Sequence, residues 1–166
     1  FRKAWQEIVD QKLSAGLIFE DDVSLDLETF NESLTSALKW INKYGYIQFQ
    51  VREIPKKSKI VVSNDSIQLL QPSPTLLRCS AQLVSFYTAK KLLDITNKFD
   101  RPVDTLIQSN WHTGINITSI KPSGVKDNTY ASGGSNLSLH MPLAKRLKQE
   151  YKRVKYRHSI KKYDKL

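Results

Sequence analysis

Cysteine and methionine are almost missing from this sequence: each occurs once, as Cys79 and Met141. A lone cysteine closes no internal disulfide, so a disulfide-stapled scaffold is excluded and a reducing compartment is expected. Because Met141 is the sole methionine, the chain opens on Phe1, and it is expected to be the ordered part of a longer protein. No charged-then-apolar leader precedes the first periodic segment. No apolar run approaches the roughly eighteen residues of a spanning helix, which argues against an integral membrane protein. The six glycines make neither of the Gly-rich phosphate-binding motifs, and Gly133-Gly134 reads as loop. His112, His140 and His158 are far apart and Cys79 has no recognisable partner, so no zinc spacing and no local nucleophile signature is present.

What is there is a chain of one-domain length. Its 166 residues are 40% hydrophobic, enough for a core, which excludes wholesale disorder. The outlier is charge. There are 26 Lys and Arg against 16 Asp and Glu, a net +10, which points to a polyanionic partner. The excess is not spread evenly. Residues 145–166 hold ten basic and two acidic residues, a net +8, leaving +2 for everything before them. The composition shift near His140 to Pro142 divides the chain into a near-neutral body, 1–140, and a basic tail, 141–166.

Periodicity outlines the body. Ala4, Trp5, Ile8, Val9 and Leu13 recur at helical spacing, as do Leu27, Phe30, Leu34, Leu38 and Ile41. Leu17-Ile18-Phe19 reads as a buried strand of an α/β sheet. Tyr44 to Val51 and Ala81 to Phe86 read as strands, and Ile60 to Leu70 as a hairpin turning at Ser63-Asn64-Asp65-Ser66. Thr88 to Phe99 predicts a helix with Thr88 at its N-cap. Pro102 suits the first position of the next helix. Ile115 to Ile120 is strand-like, and Lys121 to Ser138 reads as loop. Strands alternating with helices predict an α/β fold, a mixed sheet flanked by helices, with ligands beyond the C-terminal ends of its strands.

Glu20-Asp21-Asp22 stands directly behind the apolar run Leu17-Ile18-Phe19. Adjacent carboxylates repel and resist ionisation unless a cation compensates them. Mg²⁺ and Mn²⁺ take hard oxygen ligands, typically one or two carboxylates with substrate phosphates. In an extended or turning segment Glu20 and Asp22 point one way and Asp21 the other. The alternative is a solvated acidic turn, with Asp22 capping the following helix.

The run Trp5-Gln6-Glu7-Ile8-Val9 followed by Leu17-Ile18-Phe19-Glu20-Asp21-Asp22-Val23 resembles glycosyltransferase family 25, the lipooligosaccharide glycosyltransferases related to collagen galactosyltransferases. Phe86-Tyr87-Thr88-Ala89-Lys90-Lys91-Leu92-Leu93, Pro102-Val103-Asp104, and Ile120-Lys121-Pro122 with Ser135-Asn136-Leu137-Ser138 are similar to later elements of that family, in order. The family's opening strand and its Cys-x-x-Ser-His element have no counterpart here. The resemblance implies a GT-A-like nucleotide-diphospho-sugar transferase fold lacking its first strand region. It implies a UDP-sugar donor, galactose or glucose, and a lipooligosaccharide acceptor. Glu20 and Asp22 would hold Mn²⁺ or Mg²⁺ against the donor diphosphate, with Asp21 beside them. The reaction would invert the anomeric carbon, with Asp104, or else Asp100, as general base. Asp104 is also readable as a charge that complements a helix N-terminus. Trp111 and His112 are candidates for the acceptor sugar, or else ordinary packed side chains.

In the tail, Leu143, Leu147, Tyr151, Val154 and His158 form a stripe among Lys145, Arg146, Lys148, Lys152, Arg153, Lys155 and Arg157. A basic amphipathic helix of this kind suits an anionic bilayer interface. It would hold the enzyme as a peripheral protein on the inner, cytoplasmic face of the cytoplasmic membrane. The same pattern also fits a terminal helix packed on the body, or a nucleic-acid-binding arm. A non-enzymatic nucleic-acid-binding module and an inactive transferase remnant are the competing functions.

Overall fold

The computed structural model describes residues 1–64, 66–97 and 101–128, and in the last stretch 154, 156, 158–160, 162 and 163. The chain order is α1 (Arg2–Asp10), β1 (Ala15–Phe19), β2 (Val23–Leu25), α2 (Leu27–Tyr44), β3 (Tyr46–Phe49), β4 (Lys59–Ser63), β5 (Gln68–Gln71), β6 (Ala81–Ser85), α3 (Phe86–Ile95), α4 (Val103–Gln108), α5 (Asn110–Thr113), β7 (Thr118–Lys121) and β8 (Val125–Asp127). Six strands form a mixed sheet in the order β1-β6-β3-β7-β5-β4, and β2 pairs with β8 in a separate two-stranded sheet. Only β3 and β7 are parallel neighbours in the six-stranded sheet. Since β6 is antiparallel to both β1 and β3, the strands β1, β3 and β7 all point the same way.

Helices cover both faces, and the sequence shows why. The α2 repeat puts Phe30, Ala37 and Ile41 on one stripe, which packs with Ile47, Phe49, Leu69, Leu83 and Ile120. On the other face Trp5 and Ile8 of α1 meet Ala89 and Leu92 of α3, with Tyr46, Val84 and Ile107. Each fully buried large side chain of this kind contributes about 1.5–3 kcal/mol. The central strands β3 and β6 are buried throughout, as expected for strands covered on both faces.

Several expectations are corrected. The run Leu17-Ile18-Phe19 is a strand, but among the described residues it is the sheet's edge rather than its interior: β1 has a partner there only in β6, and Phe19 remains exposed. The next helix is capped by Asp26, not Asp22, because β2 intervenes; the Asp26 carboxylate accepts from Thr29 N–H at 3.3 Å. Ser85, not Thr88, caps α3. Ser85 is still extended at the end of β6, and its hydroxyl accepts from Thr88 N–H. Pro102 stands at the N-cap of α4, one place before the first helical position. The expected loop from Lys121 contains β8, whose pairing partner lies a hundred residues upstream at Val23–Leu25. The hairpin is as expected, and so is the mixed sheet flanked by helices. The boundary at 140 lies outside the described residues.

One close approach ties α2 to the β7–β8 connection. Asp26 N–H donates to Gly124 O at 2.8 Å, and Ser33 Oγ donates to Pro122 O at 2.6 Å. Gly124 has φ +68°, and a Cβ there would lie 2.4 Å from the Phe30 backbone nitrogen. Gly114, at φ +59°, would meet only the end of the Lys91 side chain. Gly124→Ala is therefore expected to cost about 2–4 kcal/mol, from strain and collision together. That is a fall in Tm of roughly 5–15 °C at this length, checked by thermal melts, while Gly114→Ala falls by less than about 4 °C.

Candidate active site

The C-terminal ends of β1, β3 and β7 lie together at one end of the sheet. Glu20 follows β1 directly. Its N–H donates to Ser80 O at 2.9 Å, which extends the β1–β6 ladder by one more bond. The Glu20 carboxyl is half-buried, and its pKa is raised. Burial is the first cause and the charge of Asp22 the second, with Asp104 adding a smaller push. The Ser80 hydroxyl, hydrogen-bonded to the carboxylate, and the charge of Arg78 act in the opposite direction. Asp21 is exposed and Asp22 partly buried. The Asp22 carbonyl accepts from Asn128 N–H at 2.7 Å, at the open end of the β2–β8 pair.

Asp104 opens α4, and its Oδ1 accepts from Thr105 N–H at 2.7 Å. Its charge is felt at Glu20, and also at Tyr46 and Cys79 beneath. Burial pushes the Cys79 thiol up to about 12, with Asp104 the next cause, so this cysteine is inert. It is not without a neighbour: the Tyr46 hydroxyl lies 3.9 Å from its sulfur and donates to Gln82 Oε1. Two residues 84 positions apart, Glu20 and Asp104, are thus brought within electrostatic reach of one another, with Asp22 beside them.

Sequence reasoning missed the polar frame that holds this end. Arg78 forms an ion pair with Asp127 of β8 at 3.1 Å. The Arg78 carbonyl accepts from Gln48 Nε2. Gln48 Oε1 in turn accepts from Gln50 Nε2 at 2.8 Å, and Gln50 Oε1 accepts from the N–H groups of Val51 and Arg52. One signal was available: glutamines at 48, 50 and 82 interrupt otherwise apolar strands, and buried amides of this kind need partners.

Trp111 and His112 lie on α5, the helix after the one that carries Asp104. Trp111 packs against the rings of His112, at 5.9 Å, and Tyr163, at 5.8 Å. Nearby, Tyr156 Oη donates to Gln108 Oε1, while Gln108 Nε2 donates to Thr75 O. The described residues of the last stretch are helical. Asp100 and the seven basic residues Lys145, Arg146, Lys148, Lys152, Arg153, Lys155 and Arg157 lie outside the described residues.

Among the described residues no cluster of three or more His, Cys, Asp or Glu side chains is arranged to hold an ion. Glu20 and Asp22 offer a pair instead. Their mutual repulsion and hard oxygen donors fit the protein's share of a Mg²⁺ or Mn²⁺ set, whose other ligands come from substrate and water. Two cavities lie elsewhere. One, of about 250 Å³, sits at the opposite end of the sheet beside Lys43, Thr88, Lys91 and Asn116. The other, of about 680 Å³, lies between α2 and the β4–β5 hairpin.

The family model described as glycosyltransferase family 25 (LPS biosynthesis protein) matches residues 2–107, well over half of the chain. The chain belongs to this glycosyltransferase family, and the matched stretch takes in Glu20, Asp22 and Asp104. No curated protein matches it.

Removing the Glu20 charge removes a penalty on the fold. A raised pKa means that the folded state favours neutral Glu20. The resulting stability is fully present below the unfolded pKa and is lost as pH rises through the raised folded value. Glu20→Gln is expected to melt higher than the wild type at pH 7. The gain is below about 1 kcal/mol after solvent screening, or about 2–4 °C. The difference should close as pH falls below about 4, which paired thermal melts at the two pH values check.

Proposed function

We propose that this chain transfers a hexose, galactose or glucose, from a UDP-sugar to a lipooligosaccharide acceptor, with inversion, on a GT-A-type framework. The observation that carries this reading is the placement of Glu20 and Asp22 just past the C-terminal end of β1, with the charge of Asp104 reaching Glu20, within the stretch that matches the family. In this reading Glu20 and Asp22 bind Mn²⁺ or Mg²⁺ at the donor diphosphate. The ion would supply charge neutralisation for the leaving diphosphate. Ser80 holds the Glu20 carboxylate in place through its hydroxyl. Asp104, oriented by Thr105 N–H, takes the proton from the acceptor hydroxyl as that oxygen attacks the anomeric carbon. Trp111 and His112 offer a ring face and an exposed imidazole for the acceptor sugar. The basic tail, with its net +8, keeps the enzyme at the anionic inner face of the cytoplasmic membrane, where a lipid-anchored acceptor is found.

Titration of UDP with and without Mn²⁺ tests the donor site. Metal-dependent binding should weaken about 10-fold or more in Asp22→Ala, and binding indifferent to that change sinks the metal assignment. Asp104→Asn should leave UDP affinity unchanged and lower kcat by about 10²–10⁴; an unchanged kcat removes Asp104 as the base. For the tail, the full chain should bind vesicles containing phosphatidylserine at low salt and release them at high salt. Exchanging Lys145, Arg146, Lys148 and Lys152 for Gln should abolish that binding. Tight, salt-sensitive RNA binding with no UDP affinity would instead identify a nucleic-acid-binding module.

A further inference from the structure

Glu20 and Asp22 are separated by one residue in sequence, yet they belong to different hydrogen-bonded units. Glu20 extends the ladder of the six-stranded sheet through Ser80. Asp22 precedes β2, which among the described residues pairs with β8 in the two-stranded sheet. The residue between them, Asp21, is exposed. Their relative position therefore depends on how firmly one sheet is fixed to the other.

The segment Arg78–Ser80 touches both. Ser80 O holds the Glu20 amide, and two residues earlier the Arg78 guanidinium holds the Asp127 carboxylate at 3.1 Å. Asp127 is the register partner of Val23, and the next amide, Asn128 N–H, donates to Asp22 O at 2.7 Å. Ser24 Oγ adds a long bond to Asn128 Oδ1 at 3.4 Å. A fixed segment thus reaches Glu20 at one end and, through β8, Asp22 at the other.

That segment is held with unusual effort. Arg78 has φ +97°, in a region that side chains other than glycine rarely adopt. Such a backbone persists only where its surroundings overdetermine it, and it tends to mark functional places. Here the Gln48 side chain, only 2% exposed, donates to the Arg78 carbonyl and is itself bonded by Gln50 and Ser119. The Arg78 and Asp127 side chains are 31% and 21% exposed. The pair is therefore partly withdrawn from water, and it joins a strained, buried-glutamine-held segment of the large sheet to the end of β8.

We propose that Arg78 and Asp127 are a positioning pair that locks the two-stranded sheet to the six-stranded one and so fixes Asp22 beside Glu20. The idea rests on the reading of Glu20 and Asp22 as a functional pair, but its first test does not. In Asp127→Asn and Arg78→Gln, NMR should show hydrogen exchange at the Asn128 and Ser24 amides, both on the bonded side of the β2–β8 ladder, accelerated about 10-fold or more, with the far-UV spectrum unchanged. Mn²⁺ affinity, measured by calorimetry with the metal alone, should fall about 10-fold in each. The exchanged pair, Arg78→Asp with Asp127→Arg, should recover both readouts to within about threefold of the wild type. Arg78→Lys, which keeps the charge, serves if either single variant unfolds, and should be intermediate.

Unchanged exchange at Asn128 in both single variants overturns the lock. So does loss of UDP binding in Arg78→Gln alone with no recovery in the exchanged pair, because Arg78 would then be a direct ligand of the diphosphate. If exchange responds as expected while the wild type binds no Mn²⁺, the lock stands and the metal reading falls.

Discussion

A half-buried carboxylate with two more carboxylates in its field opposes folding, and the acidic end of the sheet is organised around that opposition. Glu20 is made to resist ionisation first by burial and then by Asp22 and Asp104. Nothing in the apolar clusters relieves this. Relief comes from the Ser80 hydroxyl and the Arg78 charge, both delivered by the short approach to β6. The driving force is remote: two apolar clusters, one on each face of the sheet, stabilise a fold that keeps an unfavourable electrostatic arrangement at one edge. A site that is costly for folding and supported from elsewhere is the usual form of a place kept for chemistry.

The support passes through amides rather than charges. Gln82 and Gln48 sit in the most buried strands and Gln50 just past the end of β3, and each finds partners: Tyr46 and the Cys79 carbonyl for Gln82, the Arg78 carbonyl for Gln48, and Gln48 with its own following backbone for Gln50. A buried amide left unsatisfied costs about 1–3 kcal/mol, so a satisfied row of them selects one arrangement strongly. Charged groups in the same positions would have needed counter-ions inside the sheet. The glutamines give directional hold without adding to the negative potential above them.

Much of the body was legible in the sequence because its signals are local. The α2 repeat from Leu27 to Ile41, the hairpin around Asn64 and the carboxylates placed just past an apolar run all follow from spacing within a few residues. The missing parts depend on distant partners. β8 is three residues long and exists because Val23–Leu25 lies opposite it. The β1 strand reads as buried by its apolarity, yet its place at the sheet edge is decided by which strands β6 accepts as neighbours. Ser85 displaces Thr88 as a cap because strand geometry continues to the last residue before the helix. Arg78 carries no local mark, since its importance arises from a backbone angle and a buried glutamine thirty residues away. Asp104 could be suspected from the likeness of its surroundings, but its nearness to Glu20 is a property of the fold.

The Gln108 side chain joins parts of the chain that no strand pairing brings together. Its amide hydrogen binds Thr75, 33 residues upstream, and its oxygen is bound by Tyr156, 48 residues downstream. Three stretches of the chain therefore meet at a single planar group, which ties the approach to β6 and the last described stretch to α4. Residues 75 and 156, 81 positions apart in sequence, are thereby held to one side chain of α4.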